Sequence, residues 1–347
     1  MNACKHTSWL SFHGKEEIQL LHSSTLSDIV ASLERPANKW PSLVMLVGNE
    51  KKSVLMREAI SETGVRHADC RNEPHVCLQL DPNTAFSDHP ILVAHSHIPT
   101  RVVFASGPET KSFCHRKSLK HIPWMGASPA EAIDDLHCRL LHPFADVICL
   151  FAADHDGLRS VAARLLSWFR TDRMVRQPSV RPRVLVICPL GETRSSGAVE
   201  AQLMEIMRTE IPDFELNMTL HISVYIPKRS QRTLREQVRC EIDFVRNARV
   251  EAHELLNAAH FDRLFRHATN HFVNTKREPF DAIAASRLHR PVAAGLGPCV
   301  ATLLTKAQTY QDVDEFIAPF VAECLIRDNY PDDVHGLSRS IFEEPYF

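Results

Sequence analysis

Short runs of apolar, β-branched residues recur along the first two-thirds of the chain, each followed by a stretch with helical spacing. The first such run is Ser42–Val47 (SLVMLV), which leads into Gly48 and a helical stretch, Lys51–Ile60. His75–Leu80 (HVCLQL) alternates like a second strand, and Pro90–His95 (PILVAH) reads as a third. Asp146–Phe151 (DVICLF), Arg183–Cys188 (RVLVIC) and Leu220–Ile226 (LHISVYI) complete a set of predicted strands. Between them, Pro129–Leu141, Gly157–Arg170 and Gly197–Arg208 place apolar residues three and four apart, the period of an amphipathic helix. Fully apolar strands alternating with such helices predict an α/β fold with a mostly parallel sheet covered on both faces. The predicted class is a P-loop-NTPase-like sheet followed by an α-helical C-terminal region.

From about residue 230 the strand signals stop and long helical patterns run to the end, interrupted by Pro279, Pro291, Pro298 and Pro331. The expected division is therefore an N-terminal extension over 1–40, an α/β domain over 41–228 and a helical domain over 229–347. The extension is polar and mixed, with one short helical segment around Ser27–Leu33 that ends before Pro36.

At 347 residues, with 44% hydrophobic and 24% charged residues, the chain has the profile of a globular protein with well-buried cores. Its formal net charge of -2 supplies no global positive field, so specific nucleic-acid binding is not expected. Ten cysteines occur without a single CxxC pair, which argues against a zinc ribbon or a thioredoxin-type redox site. Cys149 and Cys188 lie inside apolar strand runs, where a thiol acts as a small hydrophobe. Free thiols, the lack of a signal-like apolar core near the N-terminus and the absence of a bilayer-length apolar run predict a cytoplasmic protein without a transmembrane segment.

A glycine between a strand and a helix is where nucleotide folds hold phosphate, because backbone N–H groups and the helix dipole converge there. The working motif is G-x-x-x-x-G-K-[ST]. Here the window reads Leu46-Val47-Gly48-Asn49-Glu50-Lys51-Lys52-Ser53, so the Lys-Ser pair is present while leucine and lysine replace the two glycines. Side chains at those positions crowd the backbone curl around a phosphate, and Glu50 adds negative charge. Gly48, Lys52 and Ser53 are the candidate phosphate-binding residues, with ATP or GTP as the only cofactors in view. An ordinary strand–turn–helix connection is the plainer reading.

Magnesium chemistry needs a carboxylate after a neighbouring strand, and there the chain offers His95-Ser96-His97. Imidazole nitrogens suit this hard, oxygen-seeking ion poorly. Asp154 and Asp156 could substitute, although Asp156-Gly157 reads more simply as a turn and helix cap. After the fifth predicted strand, CPLGE lacks the Asn-Lys-x-Asp guanine reader. No G-x-S-x-G nucleophile elbow exists; the nearest, Gly126-Ala127-Ser128-Pro129-Ala130, reads as a helix cap with proline in the first turn. Among twenty histidines, His253, His260, His267 and His271 fall in a wedge of about 40° on one predicted helix. His267 and His271, four apart, are the candidate metal ligands. They also border an apolar stripe, Phe261, Phe265, Ala268 and Phe272, which reads as core. No catalytic residue is assigned.

Five segments together resemble the N-terminal region of large fungal patatin-like phospholipases (FabD/lysophospholipase-like proteins). They are PSLVMLVGNEKKSVLMREAI (41–60), HPILVAHSHIP (89–99), LLHPFADVICLFAADHDGLRSVAARLLSWF (140–169), FDAIAASRLHRPVA (280–293) and FIAPFVAECLIRDNYPDDVHGLSRSIFEEPY (316–346). In that family a P-loop-like region precedes the lipid-hydrolysing module. The hydrolase's glycine-rich oxyanion segment, serine motif and downstream aspartate are missing from a chain with only 11 glycines, so the resemblance implies a truncated relative, a fragmentary gene product or a stand-alone regulatory module. Three readings follow: a non-catalytic regulatory or interaction module whose partner is another protein, a divergent NTPase or part of a split phospholipase, and a scaffold that binds protein through its helical region.

Overall fold

The computed structural model describes residues 7–14, 17–49, 75–98, 116–125, 129–171, 180–189, 191–210, 221–227, 230–252, 254–276, 278, 280–282, 285 and 295–329. The chain divides into two compact units, residues 1–280 and 281–347.

All nine described strands belong to the first unit. They are β1 (Ser8–His13), β2 (Gln19–Ser23), β3 (Ser42–Val47), β4 (His75–Leu80), β5 (Ile91–Ser96), β6 (Lys117–His121), β7 (Val147–Phe151), β8 (Arg183–Ile187) and β9 (Ile222–Tyr225). They form one sheet in the order β6-β2-β1-β4-β5-β3-β7-β8-β9. From β5 to β9 every pairing is parallel, whereas β4 runs antiparallel to both β5 and β1, and β2 antiparallel to β1 and β6. The sheet is therefore mixed, and the expectation of a mostly parallel sheet holds for one half only. All six strands expected from the apolar runs are present. The three that were not foreseen, β1, β2 and β6, join the expected β4 to make the antiparallel half.

The reason lies in their side chains. β3 and β7 are buried along their whole length, as strands with helices on both faces must be. By contrast β6 (KSLKH) is almost entirely exposed, a short lysine-bearing edge strand of the kind that discourages pairing with other chains. Such a sequence carries no apolar signal. The segment expected to be an N-terminal extension contributes β1, β2 and α1 (Thr25–Ser32), and Trp9, Leu10, Phe12, Leu20 and Leu26 are all core residues.

Alternation along β3 sends Leu43, Met45 and Val47 to one face and Val44 and Leu46 to the other. The first face packs against α1, α2 (Pro129–Asp135), α3 (Leu158–Thr171), α4 (Ser196–Glu210) and α6 (Ala258–Asn274). On the second face, Val44, Leu46, Val147, Cys149 and Leu185 meet Leu234 and Ile242 of α5 (Leu234–Glu251). Helices α5 and α6 thus belong to the sheet unit, and the boundary expected at residue 228 falls instead at Phe280/Asp281. Their apolar stripes need a partner, and the sheet supplies it.

Polar groups fix the two helices in place. Thr233 and Glu236 form a reciprocal capping box at the start of α5. Farther along α5, Arg249 pairs with Asp146 at 3.0 Å, both buried, and donates to the Ala145 carbonyl at 2.8 Å. The same Asp146 carboxylate accepts the Leu43 N–H at 2.6 Å, so one buried ion pair ties α5 to the starts of β3 and β7. For α6, Asn257 caps the helix through the His260 N–H, and Phe265 stacks on Trp9 of β1 with ring centres 4.5 Å apart.

The second unit contains α7 (Leu296–Leu304), a turn capped by Thr309, a π-helical stretch over Val313–Ile317 and α8 (Ala318–Asn329). None of the residues described in α7 or the π-helical stretch is buried. Among the described residues, no helix is long and apolar enough to cross a membrane.

Candidate functional site

In chain order the parallel strands are β3, β5, β7, β8 and β9, and their spatial order is second, first, third, fourth, fifth. Doubly wound sheets of this order bind ligands in the crevice beyond the carboxyl ends of the strands, between the first and third, where the winding reverses. In this chain that point lies past Val47 of β3 and Phe151 of β7, which places Gly48 and Asn49 at its centre.

Hydrogen bonds from the chain itself cross this crevice. The Asn49 backbone N–H donates to Asp154 Oδ2 at 2.7 Å. The Asn49 side-chain oxygen accepts the Ile98 N–H at 2.9 Å, joining the end of β3 to the segment after β5. Gly48, itself buried, donates its N–H to the Ser96 carbonyl at 3.2 Å. Buried His155 brings Nε2 to 3.4 Å from the Val47 carbonyl. Asp156 and Gly157, with φ of 56° and 100°, make the expected turn, which returns the chain into α3. Glycine suits that second position because φ is positive there.

The electrostatics follow from these contacts. Asp154 places a carboxylate where a phosphate would seek the N–H groups at the end of β3. Beyond β8, Glu192 is bound by Arg194 through contacts of 2.6 and 2.8 Å, which hold its carboxyl down at about 2 and engage the guanidinium locally. Both groups are therefore already committed to partners within the chain.

Lys52 and Ser53 lie outside the described residues, as does Ser128. Of the candidate phosphate-binding residues, Gly48 alone is described, and its N–H serves the β3–β5 ladder. The histidine wedge is split, because α6 begins at Ala258 behind the Asn257 cap and His253 lies outside the described residues. His267 and His271 are half-buried on α6, and His271 Nε2 meets the Glu278 carbonyl at 2.9 Å. Among the described residues, no group of three or more His, Cys, Asp or Glu is placed to hold a metal ion.

Sequence reasoning missed a second arrangement. Ser96, at the end of β5, shares a 2.6 Å hydrogen bond with His137 Nε2, which stands on a π-helical stretch over Leu136–Leu141. Serine beside histidine is the geometry of an activated nucleophile. Both residues, however, are fully buried, and the edge of Trp168 packs against the His137 ring with centres 5.7 Å apart. A buried hydroxyl satisfied by imidazole locks β5 to the helix layer. The two residues lie far apart in sequence, so no local pattern announces the pair.

No protein-family model matches the chain, and no curated protein matches it.

Proposed function

We propose that the chain is a non-catalytic module on a degenerate, P-loop-like nucleotide fold, serving regulation or the binding of another protein. The observation that carries this reading is the Asn49–Asp154 hydrogen bond. A phosphate at the switch point depends on free backbone N–H groups and a positive local field. Asp154 takes the N–H at Asn49 that an anion would need. The resemblance to the N-terminal region of patatin-like phospholipases favours a regulatory role beside a lipid hydrolase, and the absence of that family's serine motif argues against lipid hydrolysis by this chain alone.

The strand order around the crevice favours a second reading, a divergent NTPase that holds ATP or GTP through Lys52 and Ser53. Thermal unfolding with and without millimolar ATP or GTP and magnesium separates the two, since a ligand of the native state raises the midpoint. The regulatory reading expects no shift in the native chain. A clear rise that disappears in Lys52→Ala would replace it with the nucleotide-binding one.

A further inference from the structure

The solvent side of α6 carries cations and no exposed carboxylate. His260, Arg263, Arg266 and Asn270 are exposed there, and His267 is half-buried. Asp262 is the only acid among the helix's 17 residues. It is buried, accepts a hydrogen bond from Ser27 Oγ at 2.8 Å and pairs with Arg266. Arg266 still leaves more than half of its side chain in water, and Arg263 forms no ion pair with a described residue. The edge strand β6 continues the surface: Lys120 donates to the Asn270 side-chain oxygen, and Leu119 and His121 beside it are exposed. The local field is felt by His22, whose ring is kept neutral first by burial and then by Lys120, with Arg266 adding to the effect against Asp262.

We propose that this surface of α6 and β6 docks a short acidic segment of another protein, whose carboxylates pair with Arg263, Arg266 and Lys120. Arginine suits that role because its planar fork matches a carboxylate with two parallel hydrogen bonds. Charge complementarity selects an anionic occupant, and the size of the patch selects a short one. From His260 to Asn270 the helix rises about 15 Å, the reach of about five residues of extended chain. The whole chain carries a net charge of -2, so the positive potential is local. Charges separated by more than about 8 Å are largely screened at physiological salt, so a duplex or membrane plane gains nothing from the length that overruns the patch. Docking on a membrane also calls for apolar side chains that enter the acyl boundary, and among the described residues Leu119 is the one large apolar side chain exposed here. The proposal rests on the protein-binding reading above, but no residue of the switch-point crevice takes part in it.

The test uses the full chain and a hexaglutamate peptide carrying a neutral dye, with hexaglutamine as the uncharged control. Fluorescence anisotropy at low salt should show saturable binding of the first and none of the second. Affinity should fall by about fivefold or more in Arg263→Glu and further in Lys120→Glu/Arg263→Glu. It should stay unchanged in Arg239→Glu, which reverses an exposed arginine on α5. Thermal unfolding checks the double variant, and Arg263→Glu, at an exposed position, decides alone if the double variant is unstable. Hexaglutamate that fails to bind below millimolar, or that weakens equally in Arg239→Glu, overturns the proposal. Tighter binding of phosphatidylserine vesicles or of a short DNA duplex through the same residues also overturns it, by giving the surface to another class of partner. Failure here leaves the nucleotide experiment, and the reading of the crevice that it tests, untouched.

Discussion

Asp154 and Asn49 face each other across the crevice between the first and third parallel strands, carboxylate to backbone N–H, at 2.7 Å. The contact joins the loop after β3 to the loop after β7. Removing the carboxylate tests how much the closure contributes. Asp154→Ala leaves a half-buried N–H without this acceptor, and a loss of about 1–3 kcal/mol is expected. Asn49→Ala removes the acceptor for Ile98 and costs a similar amount. Urea unfolding of both single variants and the double should show coupling, because the contacts share one residue.

The buried ion pair between Arg249 and Asp146 should be more costly to break. Arg249→Ala takes one charged partner from a carboxylate that is almost wholly out of water, and the expected loss is about 3–5 kcal/mol. Replacing both partners with apolar residues of similar volume should recover much of it. If Arg249→Ala unfolds at the same urea concentration as the parent chain, the pair does not hold α5 to the sheet.

The boundary between units makes a sharper demand. A chain ending at Phe280 retains α5 and α6 and should unfold cooperatively, whereas one ending at residue 228 lacks two of the helices that cover the sheet. Within the shorter chain, Trp9 and Phe144 lose the aromatic face of Phe261 and Phe265. Far-UV circular dichroism together with a single thermal transition distinguishes the two. Cooperative folding of the 228-residue chain would return the helices to a domain of their own.

Acid should weaken the fold through His22. Burial, with Lys120 nearby and a further contribution from Arg266, lowers its pKa from 6.5 to about 4, although Asp262 opposes the shift. The native state holds the ring neutral while the unfolded chain takes up a proton from about pH 6.5 downward. The stabilisation is therefore complete above that pH and is lost as pH falls toward 4, by an amount on the order of 1–3 kcal/mol. His22→Gln should flatten the slope of stability against pH in this window. An unchanged slope would assign the acid sensitivity to other groups.

The strands legible from sequence were those whose burial on both faces leaves a continuous apolar run, such as SLVMLV and VICLF. β6 was invisible because an edge strand needs no apolar face, and β1 because SWLSFH mixes serine and histidine with its core residues. Helices α5 and α6 could be read as helices, but not as partners of this sheet, since an amphipathic stripe does not say what it faces. At the crevice, the altered glycine positions were visible in the motif. The hydrogen bond from the Asn49 N–H to Asp154 was not, because it depends on two loops meeting across the sheet.

The stack of Trp9 on Phe265 carries a consequence for how the chain is made. A ribosome releases Trp9 well before Phe265, which emerges only after the last described strand. Until then, the stack on Trp9 cannot form and that part of the core stays incomplete. A protein closed in this way depends on holding chaperones or on rapid completion, and slowed translation between the two residues should lower the yield of folded product.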